Sequence, residues 1–241
     1  MDHSSRPAPT KGRVPDFGRV EHWVFDLDNT LYPPECDLFA QIDVRMCDFI
    51  MRLLDVDAAA AKRVQKDFYV EHGTTLAGLM AVHGIEPGLF LAHVHDIDVG
   101  VVAPNEALGR AIAGLPGSKV IFTNGSVAHA ENVVARLGIG HVFDGIYDIV
   151  STGYRPKPGR DAFESFIAAS GIAPTRAAMF EDIPRNLEVP HALGMKTVWV
   201  RPRGEAGPER YQRLSHDGGE AAHVHHATDD LTGFLEGLSG L

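Results

Sequence analysis

Cysteine is scarce in this chain: only Cys36 and Cys47 occur among 241 residues. They stand eleven positions apart in a segment that reads helical. That spacing makes neither a disulfide framework nor a zinc site, so the expectation is a reducing, cytoplasmic setting. Excess positive charge is also lacking. A formal net charge of −10 argues against a general binder of nucleic-acid backbones, which needs a basic face. It leaves room for a small phosphorylated substrate held locally. No hydrophobic run approaches a membrane span, so no membrane partner is expected. The opening MDHSSRPAPTKGRVP lacks the apolar core of a signal peptide. No internal repeat is visible. No G-x-G-x-x-G follows the first apolar run, which disfavours a dinucleotide-binding module.

What is present is ordinary in bulk and specific in detail. Hydrophobic residues make up 44% and charged residues 22%, as in a soluble globular protein. The length suits one large domain or two small ones. Residues 1–18 are polar and proline-containing and are expected to be poorly ordered. A strand, EHWVFD, follows. The next strand signal is KVIFTN at residues 119–124. Between them, Leu38, Ile42, Met46, Phe49, Ile50 and Leu53 recur at three- and four-residue spacing, which predicts an amphipathic helix. AAAAKRVQKDFYVEH, TLAGLMAVH and PGLFLAHVH predict three more. A strand-helix-strand crossover usually takes one helix, so residues 34–105 read as an inserted helical subdomain. From residue 106 strands and helices alternate: KVIFTN, GIYDIV, AAMFED and KTVWV are separated by helical segments. That alternation predicts a parallel sheet covered by helices on both faces, an α/β fold. RPRGEAGPERYQRLSHDGGEAA reads as a surface loop, and HVHHATDDLTGFLEGL as a last short strand and helix.

The decisive stretch is VFDLDNTLYPP, residues 24–34. It sets Asp26 and Asp28 two positions apart, straight after a buried-looking strand, where uncompensated charge is costly. In open parallel sheets ligands bind beyond the carboxyl ends of the strands. Those ends carry Asp26 and Asp28, Thr123 and Asn124, and Glu181 and Asp182. Lys157 lies between them in RPKP. Such a set has a chemical use. A carboxylate can attack phosphorus to form an aspartyl-phosphate, and a hard cation can neutralise the charge between carboxylate and phosphate. A hydroxyl and a lysine can hold the phosphoryl oxygens. A second carboxylate can protonate the leaving alcohol and then activate water.

VFDLDNTLYP, IFTNG, RPKP and MFEDIPRN, in that order, resemble the four motifs of the haloacid dehalogenase-like (HAD) phosphatases. The wording DLDNTLYPP, with a helical insertion straight after it, is similar to the pyrimidine 5′-nucleotidase branch. The resemblance implies a Rossmann-like α/β core with a parallel sheet, residues 19–33 and 106–241, and an all-helical cap of C1 type, residues 34–105. It implies Asp26 as nucleophile, Asp28 as acid/base, and Thr123 and Lys157 as phosphoryl-binding catalytic groups. It also implies Mg²⁺ as cofactor, held by Asp26, Asp182 and the backbone carbonyl of Asp28. Asn186 would help to hold the metal's water shell. Asn124, Thr74 and Thr75 are the expected substrate contacts, the threonines in a loop reaching over the site. The substrate expected is a pyrimidine nucleoside 5′-monophosphate, and the protein a monomer or homodimer.

Each element alone has a plainer reading. Asp-x-Asp at a strand end is commonly a solvated turn, Thr-Asn a helix cap, Glu181-Asp182 the acidic first turn of a helix, and Gly73-Thr74-Thr75 a helix start. The ordered set is far more specific than its parts. His223, His225 and His226, like His93 and His95, read as surface or packing residues rather than metal ligands. Met and aromatic residues of 38–54 read as packing. The competing functions are a phosphatase of sugar phosphates or phosphoglycolate, a phosphomutase, and a 2-haloacid dehalogenase. The last needs neither metal nor Asp28. A signalling receiver domain would place its acid pair and acceptor on different strands and has no room for the insertion.

Overall fold

The computed structural model describes residues 17–202 and 221–238. Six parallel strands form one sheet in the order β3-β2-β1-β4-β5-β6. They are β1 (His22–Phe25), β2 (Ser118–Phe122), β3 (Gly145–Tyr147), β4 (Ala177–Glu181), β5 (Lys196–Val200) and β6 (His226–Thr228). The first strand in sequence therefore lies in the middle, paired with β2 on one side and β4 on the other. Side chains alternate across it as the pleat requires. Trp23 and Phe25 enter one core with Ile121, Phe180 and Val198, under the helices α5 (Glu106–Ala113) and α6 (Val127–Leu137). Val24 enters the other, with Phe122, Met179 and Trp199 under α7 (Arg160–Ser170). Trp23, Val24 and Phe25 are fully buried, which explains a strand with no polar face.

Between β1 and α5 run four helices: α1 (Leu38–Leu54), α2 (Ala58–His72), α3 (Thr75–His83) and α4 (Pro87–Val94). Their starts follow local chemistry. Asp57 accepts from Ala60 N, Thr74 from Ala77 N, and Pro87 opens α4 where no amide hydrogen is needed. They bury a separate apolar cluster built on Ile42, Ile50, Leu79, Phe90 and Val94, joined by Ile149 from the loop after β3. Gln41 exchanges two hydrogen bonds with the main chain of Asp98, which ties the first helix to the returning segment.

Phe17 and Gly18, placed by composition in the N-terminal tail, lie among the described residues. Phe17 is 1% exposed and stacks on Trp23. The other sixteen residues of that segment lie outside the described residues, as does most of the charged loop read at 201–222. The helical segment expected between AAMFED and KTVWV splits into a 3₁₀ turn, Pro184–Leu187, and a short α-helix, Glu188–Ala192.

Candidate active site

The three central strands deliver their last residues to one edge. The Asp26 amide donates to Phe180 O, continuing the ladder by one residue, and the chain then leaves the sheet in a tight turn. Leu31 N and Thr30 N return to Leu27 O, with Asn29 in the left-handed region at φ 63°. This turn aims Asp26 and Asp28 at the sheet edge and brings the Thr30 hydroxyl to Asp26 Oδ2, at 3.1 Å.

Lys157 closes the other side. Its ammonium donates to Asp26 Oδ1 at 2.6 Å, to Phe122 O at 2.9 Å and to Glu181 Oε2 at 3.2 Å, and it is buried. Its main chain is held by Asn124, whose Oδ1 accepts from Lys157 N and whose Nδ2 donates to Lys157 O. The amide of Asn124 thus fixes the lysine loop, a duty its sequence position did not reveal. Thr123 is buried, and its Oγ1 accepts from Gly125 N.

Asp26, Glu181 and Asp182 are all buried, with ligating oxygens within 4.8 Å of one another. Asn186 donates to Glu181 Oε1. Glu181, which the sequence sets beside Asp182 at the same strand end, is therefore a member of the cluster. Burial and the neighbouring charge of Asp26 push the Glu181 carboxyl well above its usual range, and burial raises Asp26 against the pull of Lys157. Burial works against the Lys157 ammonium, yet Asp26 and Glu181 together hold its pKa above the ordinary lysine value. Three carboxyls around one ammonium leave negative charge uncompensated. This is a donor set that fits a hard divalent cation such as Mg²⁺.

Asp28 stands apart from that cluster. Its Oδ1 accepts from Tyr32 OH at 2.6 Å and from His129 Nε2 at 2.8 Å. Burial would raise its pKa, but His129 and Tyr32 bring it down to about 2. His95, from the end of α4, stacks on His129 with centroids 4.4 Å apart. Burial and the adjacent His129 lower its pKa to about 3. Tyr32, His95 and His129 were invisible as site residues in the sequence. The only signal was that Tyr32 shares the DLDNTLYPP stretch.

A cavity of about 140 Å³ joins these groups to the helical insertion. Phe39, Ile42, Met46, Tyr69, Phe90 and Val94 form its apolar wall. The packing face of α1 therefore also supplies cavity surface. Thr74 and Thr75 border the cavity, but Thr74 Oγ1 caps α3 and Thr75 Oγ1 donates to Gln65 O. The histidines near the C-terminus lie elsewhere, with His225 Nδ1 2.8 Å from Thr197 Oγ1 beside β5.

Residues 20–194 match the family described as haloacid dehalogenase-like hydrolase. Phosphate metabolism protein 8 of Saccharomyces cerevisiae is 28% identical over 206 residues, 79% of this chain and 64% of the yeast protein. Fructose-1-phosphate phosphatase YqaB of Escherichia coli is 33% identical over 81 residues, 34% of this chain and 43% of that protein. The chain thus matches less than two thirds of the length of either relative. The structure of L-2-haloacid dehalogenase from Xanthobacter autotrophicus superposes with a TM-score of 0.59 at 14% identity, covering 92% of this chain and 99% of that one. At that identity the likeness concerns the fold alone.

Proposed function

The chain belongs to the haloacid dehalogenase-like hydrolases, and we propose that it is a Mg²⁺-dependent phosphomonoesterase. We infer pyrimidine nucleoside 5′-monophosphates as its substrates. The observation that carries the phosphatase reading is Asp28: a half-buried second carboxylate, held at the cavity two residues after Asp26. Displacing a halide needs no proton donor, whereas expelling an alkoxide does. The phosphatase names of the yeast-independent relative YqaB and of an enolase-phosphatase from Streptomyces avermitilis, 28% identical over 134 residues, point the same way.

In this reading Asp26 attacks phosphorus, forming an O–P bond as the ester P–O bond breaks. Asp28 takes up the proton of the bound phosphate monoester and gives it to the leaving oxygen. Water then attacks the aspartyl-phosphate, Asp28 takes a proton from it, and phosphate departs with Asp26 restored. Lys157 and Thr123 hold phosphoryl oxygens, and Lys157 also keeps Asp26 aligned. Asp26, Asp182 and Glu181, with the backbone carbonyl of Asp28, would hold Mg²⁺, which when bound neutralises charge between carboxylate and phosphate.

The helices of residues 34–105 act as a cap over the leaving group and exclude bulk water during attack. The core then comprises residues 19–33 and 106–241. The cavity's apolar and aromatic wall supports a flat ring as leaving group over a polyol, which would leave hydroxyls unpaired there. A pocket enclosed by the cap would favour a pyrimidine over a purine by size, although a size difference alone discriminates by only about 1–3 kcal/mol. Phosphate release should be measured over UMP, CMP, AMP, GMP, sugar phosphates and phosphoglycolate with Mg²⁺ present. UMP or CMP is expected to lead. A clear lead for sugar phosphates or phosphoglycolate would reject the nucleotide assignment and leave the phosphatase standing. Release from none of them would reject both.

A further inference from the structure

We propose that His129 is a positioning residue for the leaving-group proton transfer: with Tyr32 it fixes the Asp28 carboxyl through Oδ1 and leaves Oδ2 as the oxygen that meets the leaving group. The inference rests on the phosphatase reading above and extends it to residues that no motif marks.

The geometry has three parts. First, both donors converge on one oxygen. Tyr32 OH lies 2.6 Å and His129 Nε2 2.8 Å from Asp28 Oδ1. Tyr32 is four residues beyond Asp28, and His129 is 101 residues away on α6. Two donors from separate elements fix the carboxyl plane, which a single bond would leave free to rotate. Second, Oδ2 makes no hydrogen bond to a side chain or main chain among the described residues. A carboxyl that accepts two hydrogen bonds through one oxygen bears its proton on the other, since a proton on the first would meet the two donor hydrogens. Gly125 keeps that side open. A Cβ there would stand 3.7 Å from Oδ2, 3.2 Å from the His129 ring and 3.3 Å from Thr123 Oγ1.

Third, His129 is itself held. It is 1% exposed, its amide donates to Ser126 Oγ at 3.3 Å, and its ring lies under His95 at an interplanar angle of 8°. His95 Nδ1 is 2.9 Å from the same Ser126 Oγ. A residue of the helical insertion therefore covers the ring that orients Asp28. The proton balance is closed by substrate and water. Asp28 is ionised in the free site, so Oδ2 takes the proton of the bound phosphate monoester and passes it to the leaving oxygen as the ester bond breaks; it receives one from water as the aspartyl-phosphate is hydrolysed and gives it up as phosphate departs.

The test is steady-state kinetics of wild type, His129→Leu, His129→Gln and Tyr32→Phe on UMP and on nitrophenyl phosphate, whose phenolate leaves without a proton. His129→Leu is expected to lower kcat on UMP by ~10–100-fold and kcat on nitrophenyl phosphate by less than about threefold, with KM little changed on either. His129→Gln, whose amide nitrogen reaches the place of Nε2, should recover most of the loss. Tyr32→Phe should show the same leaving-group dependence. Equal losses on both substrates, or no loss on UMP, would overturn the proposal. If the leucine variant does not fold, the glutamine and phenylalanine variants decide: wild-type selectivity in Tyr32→Phe, or an unselective loss in both, rejects it. A wild type active on another alkyl phosphate but not on UMP removes only the nucleotide assignment, and the comparison is then made on that ester. A wild type that hydrolyses no phosphomonoester removes the phosphatase reading and this proposal with it.

Discussion

The ammonium of Lys157 donates to Asp26 Oδ1 at 2.6 Å, joining two residues 131 positions apart inside a site from which both are nearly shielded from water. That contact ties the strength of the fold to the chemistry of the edge. Burial raises the Asp26 carboxyl above its usual range, and the Lys157 ammonium opposes that shift while aiming the carboxylate.

Replacing Asp26 with Asn should lower phosphate release by ~10³-fold or more, because an amide is a poor nucleophile here. The fold should persist, since Asn preserves the shape and Lys157 retains Glu181 and Phe122 O. Activity within tenfold of wild type, roughly, would remove Asp26 from the nucleophile's place. Crystals grown with a beryllium or aluminium fluoride should carry the phosphate mimic on this carboxylate.

Asp28→Asn should cost ~10²–10⁴-fold on UMP and much less on nitrophenyl phosphate. The reason is that the amide keeps the contacts to the site but cannot deliver a proton. The ratio of the two kcat losses is the measurement. A ratio near one would mean that Asp28 serves structure or metal rather than the leaving group.

Lys157→Met removes the buried cation paired with Asp26 and Glu181. Breaking a buried pair costs about 3–5 kcal/mol, a ceiling here because a carboxyl can take up a proton instead. Differential scanning calorimetry should show a fall in Tm of roughly 5–15 °C, and Mg²⁺ should restore more of it in the variant than in wild type. An unchanged Tm would contradict the charge balance described for the site.

The carboxyls also set a pH dependence. Glu181 and Asp26 are raised above 4.5 and 3.8, so the folded state binds more protons than the unfolded one. Their contribution to stability is present at low pH and declines as pH climbs from those values towards the folded pKa values. Asp28 runs the other way: lowered from 3.8 to about 2, it stabilises above 3.8 and loses that effect as pH falls towards 2. In metal-free protein the acid pair therefore destabilises increasingly as pH rises above 4.5, and the Tm increment on adding Mg²⁺ should grow with it. A flat increment would show that the cation does not relieve these carboxyls. Chelation should abolish turnover, and Asp182→Ala should raise the Mg²⁺ concentration required.

Thr74→Ala removes the N-cap of α3 and should cost ~1 kcal/mol, or about 2–4 °C in Tm. If Thr74 also touches the leaving group, KM for UMP rises while nitrophenyl phosphate is affected far less. A Tm loss with equal effects on both substrates would leave it as a cap alone.

Much of this protein was written in local order along the chain. Trp23-Val24-Phe25 had to be a strand buried on both faces because no position in it is polar. The glycine- and cap-bounded helices 58–72 and 75–83 follow from Asp57, Thr74, Gly73 and Gly84. Asp26, Asp28, Lys157 and Asp182 were legible because each sits at a strand end or in a short loop beside one, where topology alone gathers them. What the sequence could not disclose depends on which side chains meet across the sheet edge. Asn124 turns back to clasp the lysine loop, and the hydroxyls of Thr74 and Thr75 are taken by α3 and Gln65. His129 reads in the sequence as one more residue of an amphipathic helix. Only the packing of α6 against the β1 turn, and of α4 against α6, sets its ring between Asp28 and His95. Periodicity determines which face of a helix is buried, but the partner of a buried polar atom is chosen by the tertiary fold, because desolvation forces each such atom to find one there.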